Sequence, residues 1–109
     1  MPTIAVLGSV NLDIVATAAT LPAPGETVTN AVLAQHPGGK GANQALAARR
    51  LGAEVSLSAR VGRDGNADAA LNLLRAAGVD LSSLREDDKA ATGVALIAVA
   101  ASGENQIVV

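Results

Sequence analysis

The sequence has no phenylalanine, tyrosine or tryptophan, no cysteine, and a single histidine in 109 residues. Without cysteine there are no disulfides and no thiolate metal sites, which suits a reducing compartment. Without aromatics the core must be built from Val, Leu, Ile and Ala and lacks the rings that usually dominate burial. Half of the residues are apolar, but many are alanines, which remove little area from water. A free-standing domain of this make-up is expected to be marginal. The net charge of −2 is too small to imply a partner, and no basic stripe or stacking platform suggests nucleic acid. No apolar run approaches the ~20 residues of a membrane helix. The start "MPTIAVLGSV" lacks the basic region and long apolar stretch of a secretory signal. One soluble, cytoplasmic domain is the default expectation, with neither nucleic acid nor membrane as partner.

Residues 3–8, "TIAVLG", read as a buried strand closed by Gly8, and 11–18, "NLDIVATA", as a second strand or a strand-like exit. "LPAPGETV" (21–28) is a turn, and "TVTNAVLA" (27–34) a candidate exposed strand. A helix is predicted from about Lys40 or Gly41, with Arg49 and Arg50 in its last turn and Gly52 just beyond. Its alanines at 42, 45, 47 and 48 suit close packing on a sheet. "EVSLSARVG" (54–62) reads as one strand. Residues 64–78 hold a second helix with Ala67, Ala70, Leu71, Leu74 and Ala77 on one face. Asp64 or Asn66 can cap it, and Gly78 ends it. A polar connector (80–91) leads to a hairpin of 92–100 and 104–109. This alternation predicts an α/β fold with a partly parallel sheet. The final "QIVV" stops within an apolar strand, and is read as a cut end.

The stretch "PGGKGANQALAARRLGA" (37–53) sets glycines and a lysine before an alanine-rich helix. A phosphate loop G-x-x-x-x-G-K-[ST] fails, because Ala34 holds the first glycine position and Gly41 follows the lysine. The dinucleotide pattern G-x-G-x-x-G also fails for lack of a third glycine. What remains is a tight turn feeding a helix tip, with Lys40 and Asn43 in the first turn. Such a tip offers N–H donors, a cation and an amide to a small polyhydroxylated or anionic ligand. Asn11 and Asp13, two apart after the first strand, face one side of an extended chain. A carboxylate and a carboxamide on one face suit neighbouring hydroxyls, although such residues after a strand are commonly turn formers.

"GSVNLD", "PGETV", "GGKGANQA", "VGRDGNADAALNLLRAAGVD" and "ATGVALIAV" occur in that order over the whole chain. In this combination the sequence closely resembles the N-terminal part of ribokinases, in the PfkB family of carbohydrate kinases. The resemblance implies the N-terminal portion of a ribokinase-like α/β fold. Its core pieces would be about 3–8 and 40–79, and a small β-sheet lid would use about 11–18, 27–35 and 92–109. It implies sugar contacts at Asn11, Asp13, Gly39, Lys40 and Asn43, a homodimer through the lid strands, and D-ribose or a similar small sugar as substrate. For the full-length family member it also implies ATP, Mg²⁺ and a monovalent cation such as K⁺.

The family's catalytic aspartate lies in a G-A-G-D motif, which this chain lacks. In "VGRDG" Asp64 follows Arg63 and is better read as a helix cap. The chain alone is therefore expected to carry neither a catalytic base, a nucleotide site nor a metal site. The alternatives are a PfkB kinase for another sugar or a nucleoside, or a truncated, non-catalytic fragment that dimerises. Missing aromatics weaken the nucleoside version. His36, before Pro37, is read as a solvated loop residue, and "REDDK" (85–89) as a solvated connector.

Overall fold

Two short parallel strands lie at the base of the molecule, β1 (Thr3–Leu7) and β4 (Glu54–Ser58), in register from Thr3 beside Glu54 to Leu7 beside Ser58. The structure, a computed structural model, describes residues 2–109. Val79–Asp80 extends this sheet: Leu57 N–H donates to the Asp80 carbonyl at 3.0 Å, and Asp80 N–H to the Val55 carbonyl at 2.8 Å. The second sheet has four strands in the order β3-β2-β7-β8. These are β2 (Asn11–Ala18), β3 (Val32–Gly38), β7 (Gly93–Ala100) and β8 (Asn105–Val108). β2 runs parallel to β7, while the β2–β3 and β7–β8 pairs are antiparallel. A third pair joins β5 (Arg60–Gly62) to β6 (Arg85–Asp87).

The helices form where the apolar periodicity places them, as α1 (Lys40–Arg50) and α2 (Gly65–Ala77). α1 buries Gly41, Ala42 and Ala45, so its small side chains let the backbone come close to β1 and β4. α2 buries Ala67, Ala70, Leu71 and Leu74. Val10, Leu12, Val55, Leu57, Val61 and Val79 complete one core without a ring in it. Arg49 does more than complement the end of α1. Its guanidinium donates to the Ala77 carbonyl at 2.9 Å and the Ala53 carbonyl at 3.0 Å, tying the ends of both helices together. The four-stranded sheet projects from this core. The Cα radius of gyration is 16.0 Å, against about 13 Å for a compact chain of this length.

Several boundaries differ from the sequence reading. The strand expected at 27–35 begins only at Val32 and runs on through Pro37 to Gly38, and Asn30 has a positive φ of 64°. Pro37 is tolerated because β3 is an edge strand, where a missing N–H breaks no ladder. The single strand expected at 54–62 breaks at Ala59 into β4 and β5, which take different partners. The connector 80–91 contains β6. "REDDK" is exposed but not merely solvated: Asp87 pairs with Arg60 at 3.3 Å, and Arg63 bridges Glu86 and Asp88 at 3.1 Å each.

Leu57 is fully buried, whereas Leu51 is 89% exposed. Leu57→Ala is expected to cost about 2–5 kcal/mol in denaturant unfolding, and Leu51→Ala at most about 0.5 kcal/mol. Equal effects would refute this core.

Candidate functional site

The chain leaves β1 through Gly8, Ser9 and Val10, and the tip of α1 is pressed onto that turn. A Cβ on Gly41 would lie 2.6 Å from the Gly8 carbonyl carbon, and one on Gly8 would lie 2.8 Å from the Gly41 Cα. Only two facing glycines allow so close an approach. The Ala42 N–H fixes it by donating to the Ser9 carbonyl at 3.0 Å. Gly39, the N-cap, has φ 96°, and a Cβ there would come within 2.9 Å of the Asn11 nitrogen. The helix tip therefore rests on the backbone from which Asn11 and Asp13 project. The cap has no side-chain hydrogen bond and the first turn no acidic residue, so the positive end of the helix dipole is not neutralised locally.

Strand register defines what surrounds the polar pair. Asn11 and Asp13 share a sheet face with Gly38 and His36 of β3 on one side, and with Gly93 and Ala95 of β7 on the other. A Cβ on Gly38 would lie 2.7 Å from Asp13 Oδ2, and one on Gly93 would collide with Asn11 Oδ1. The carboxylate thus leans over one glycine and the carboxamide over the other. Both residues are half-buried. Among the described residues neither side chain makes a hydrogen bond or ion pair. Their lone pairs and amide protons are free to meet a hydroxylated ligand.

Of the residues singled out in the sequence, Asn11, Asp13 and Gly39 meet at this bay. Lys40 and Asn43 stand at the same helix tip, both exposed. The Asn43 N–H donates to the Gly39 carbonyl at 2.9 Å, and neither side chain contacts Asn11 or Asp13 by a described hydrogen bond. His36 corrects its sequence reading: it is exposed but lies in β3, directly across from Asp13. Gly38, Gly93 and His36 were missed as site residues because only strand register reveals them. A cleft of about 460 Å³ lined by Thr3, Arg49, Glu54 and Asp80 lies at the other end of β1 and β4, away from this bay.

Asp64 does cap α2, accepting from the Ala67 N–H at 2.9 Å. The same carboxylate also holds Thr92, accepting from its N–H at 2.9 Å and its hydroxyl at 2.7 Å. These bonds, the Thr92 N–H foremost, hold the Asp64 carboxyl below its ordinary value of 3.8. A lowered folded-state value means that its contribution to stability is present above pH ~4 and is lost as pH falls through the depressed value.

The tip of α1 is seated on the turn at the carboxyl end of β1, which runs parallel to β4, and this is the end at which α/β sheets bind small molecules. The pfkB family carbohydrate kinase model matches residues 1–109, and the chain belongs to that family. It is 45% identical over 109 residues to the ribokinase of Bacillus subtilis (strain 168), covering all of this chain and 37% of that protein. It is 42% identical over 106 residues to the ribokinase of Haemophilus influenzae, covering 97% of this chain and 35% of that protein. The solved Arabidopsis thaliana ribokinase complexed with ribose and ATP superposes with a TM-score of 0.88 at 33% identity, over 98% of this chain and 35% of that one. The chain thus spans about a third of the length of these relatives.

The glycine seat gives a direct test. Gly41→Ala forces a methyl against Gly8 and is expected to cost about 1–3 kcal/mol. Gly65→Ala, with nothing within 4 Å of its Cβ position, is expected to be neutral or stabilising. Thermal unfolding of the two variants measures the difference, and indistinguishable transitions would exclude the close contact.

Proposed function

We propose that this chain is the sugar-binding part of an ATP-dependent kinase that converts D-ribose to D-ribose 5-phosphate. The observation that carries the reading is the pair of unengaged side chains, Asn11 and Asp13, leaning over Gly38 and Gly93 beside an open helix tip. In this reading the Asp13 carboxylate accepts from two adjacent sugar hydroxyls, while the Asn11 carboxamide donates to one and accepts from another. Gly39 lets the backbone close on the sugar, and Lys40 and Asn43 add a cation and an amide from the first helical turn. These groups bind and orient the pentose so that its primary hydroxyl is presented for transfer. The four-stranded sheet serves as the lid over it.

Transfer also needs a base and a nucleotide-bound metal. Among the described residues no group of three or more His, Cys, Asp or Glu could hold a metal ion, and the chain has no G-A-G-D motif. In this reading the residues of this chain are assigned to the sugar. Nucleotide, Mg²⁺ and any monovalent cation belong to other parts of a complete kinase, and the fragment by itself is assigned no turnover. The family resemblance also supports a cytoplasmic enzyme.

The full-length protein is expected to release ADP from ATP in a ribose-dependent manner. Asp13→Ala removes two charge-assisted hydrogen bonds of about 1.5–3 kcal/mol each, so kcat/KM for ribose should fall by roughly 100-fold or more. Unchanged kinetics would take Asp13 out of the site, and wild-type preference for another sugar would redirect the substrate.

The same reading assigns a homodimer through the lid. The sheet face opposite Asp13 is mainly apolar: Ile14, Leu96 and Val108 align across three strands, flanked by Ala16, Leu33 and Ala98, with Gln35 and Gln106 as its polar members. Leu33, Leu96 and Val108 are 67%, 53% and 67% exposed, and so large an apolar surface favours a covering partner. Leu96→Glu is expected to shift the full-length protein from dimer to monomer in light scattering. A monomeric wild type, or an undisturbed dimer of the variant, would reject that interface.

A further inference from the structure

Three chain crossings connect the four-stranded sheet to the core: residues 8–11, 38–40 and 90–93. The first two meet at the glycine seat of α1. The third is held by side-chain chemistry. Thr92, only 4% exposed, is the one buried polar residue among the described residues. Its N–H donates to Asp64 Oδ2 at 2.9 Å, its hydroxyl donates to Asp64 Oδ1 at 2.7 Å, and it accepts from the Gly62 N–H at 3.0 Å. Gly62 has no room for a side chain: a Cβ would lie 2.6 Å from the Thr92 nitrogen and 2.7 Å from Asp64 Oδ2. The loop approaching this point is organised as well, because Asp87 accepts from the Lys89 and Ala90 N–H groups at 2.8 and 2.7 Å. The next residue after Thr92 is Gly93, whose α-carbon supports the Asn11 carboxamide.

We propose that Asp64 is a positioning residue for the sugar bay: by latching Thr92 to the start of α2 it seats Gly93 beneath Asn11 and fixes the carboxamide for its hydroxyl. The inference rests on the sugar-binding reading of Asn11. A cap alone does not account for the arrangement. An N-cap needs one acceptor oxygen, supplied here by Oδ1 to Ala67, while Oδ2 is spent on a residue 28 positions away, immediately before β7. The carboxylate couples the core helix to the base of the lid strand, and any shift of Thr92 is passed through one peptide unit to the floor of the bay.

Asp64→Asn in the full-length protein separates the two roles. Asparagine caps a helix as well as aspartate does, and its carbonyl can still accept from Ala67. Its NH₂ group then faces the Thr92 N–H, donor against donor. The KM for ribose is expected to rise about 10-fold, equivalent to about 1.4 kcal/mol, with KM for ATP nearly unchanged; the unfolding temperature falls as well, because the buried Thr92 N–H loses its acceptor. Thr92→Val should act in the same direction, and the double variant should show less than the product of the two effects. Asp68→Asn changes the charge of the same helix turn without touching Thr92, and should leave ribose KM unaltered. Amide exchange at residues 92–95, measured without sugar, should quicken in Asp64→Asn. Unaltered exchange overturns the latch whatever the substrate proves to be. Faster exchange with an unaltered ribose KM overturns its link to the bay. Equal loss for ribose and ATP reduces Asp64 to a structural cap, because only the link to the bay singles out the sugar. A wild-type enzyme with no sugar kinase activity would instead refute the functional reading, leaving the exchange result to judge the latch.

Discussion

Everything at this site depends on how closely one helix tip can approach one turn. Backbone meets backbone at Gly8 and Gly41, with no side chain between them. That contact sets where α1 begins, and Ala42 confirms it by donating to Ser9. The position of Gly39 against Asn11 follows, and with it the relation between the helix dipole and the two polar side chains of β2. A methyl group at either glycine would move the tip away, and the polar groups of the two elements would no longer share one volume. The close approach is a geometric requirement of the bay, not an incidental feature of a glycine-rich loop.

The same economy of side chain runs through the molecule. A core without rings compensates by close packing, with Ala42, Ala45 and Ala70 letting helices lie near strands and each other. Polar side chains tie together elements that are distant in sequence. Arg49 joins the ends of both helices, and Asp64 joins α2 to the base of β7. In the four-stranded sheet the polar groups gather at one end of one face. That face carries Asn11, Asp13 and His36 next to the core and continues outward through Val15, Ile97 and Ile107, while the other carries Ile14, Leu96 and Val108 with Gln35 and Gln106. A period of two residues sets which side chains share a face, and position along the strand sets how near they lie to the helix tip.

Much was legible before folding was considered. Both helices lie where their apolar spacing, glycine stops and terminal charges put them, because those signals are local. β2 and the final hairpin were legible for the same reason. The misplaced elements depended on partners distant in sequence. β3 continues through Pro37 because it occupies a sheet edge, and 54–62 divides because β4 pairs with β1 whereas β5 pairs with β6. β6 is three residues of charged sequence, a strand only through its neighbour. His36 looked solitary in sequence and stands across from Asp13 in the sheet.

The order of residues alone therefore determined the fold class, the two helices, the glycine turn at the tip of α1, and the facing of Asn11 with Asp13. Each follows from spacing within a few residues, which φ, ψ and side-chain periodicity translate directly into shape. Tertiary structure decided which glycines lie beneath the polar pair, which histidine faces it, and which distant threonine Asp64 holds. Those relations arise from strand register and from contacts across 23 or more positions, and no local preference encodes a distance between residues that only folding brings together.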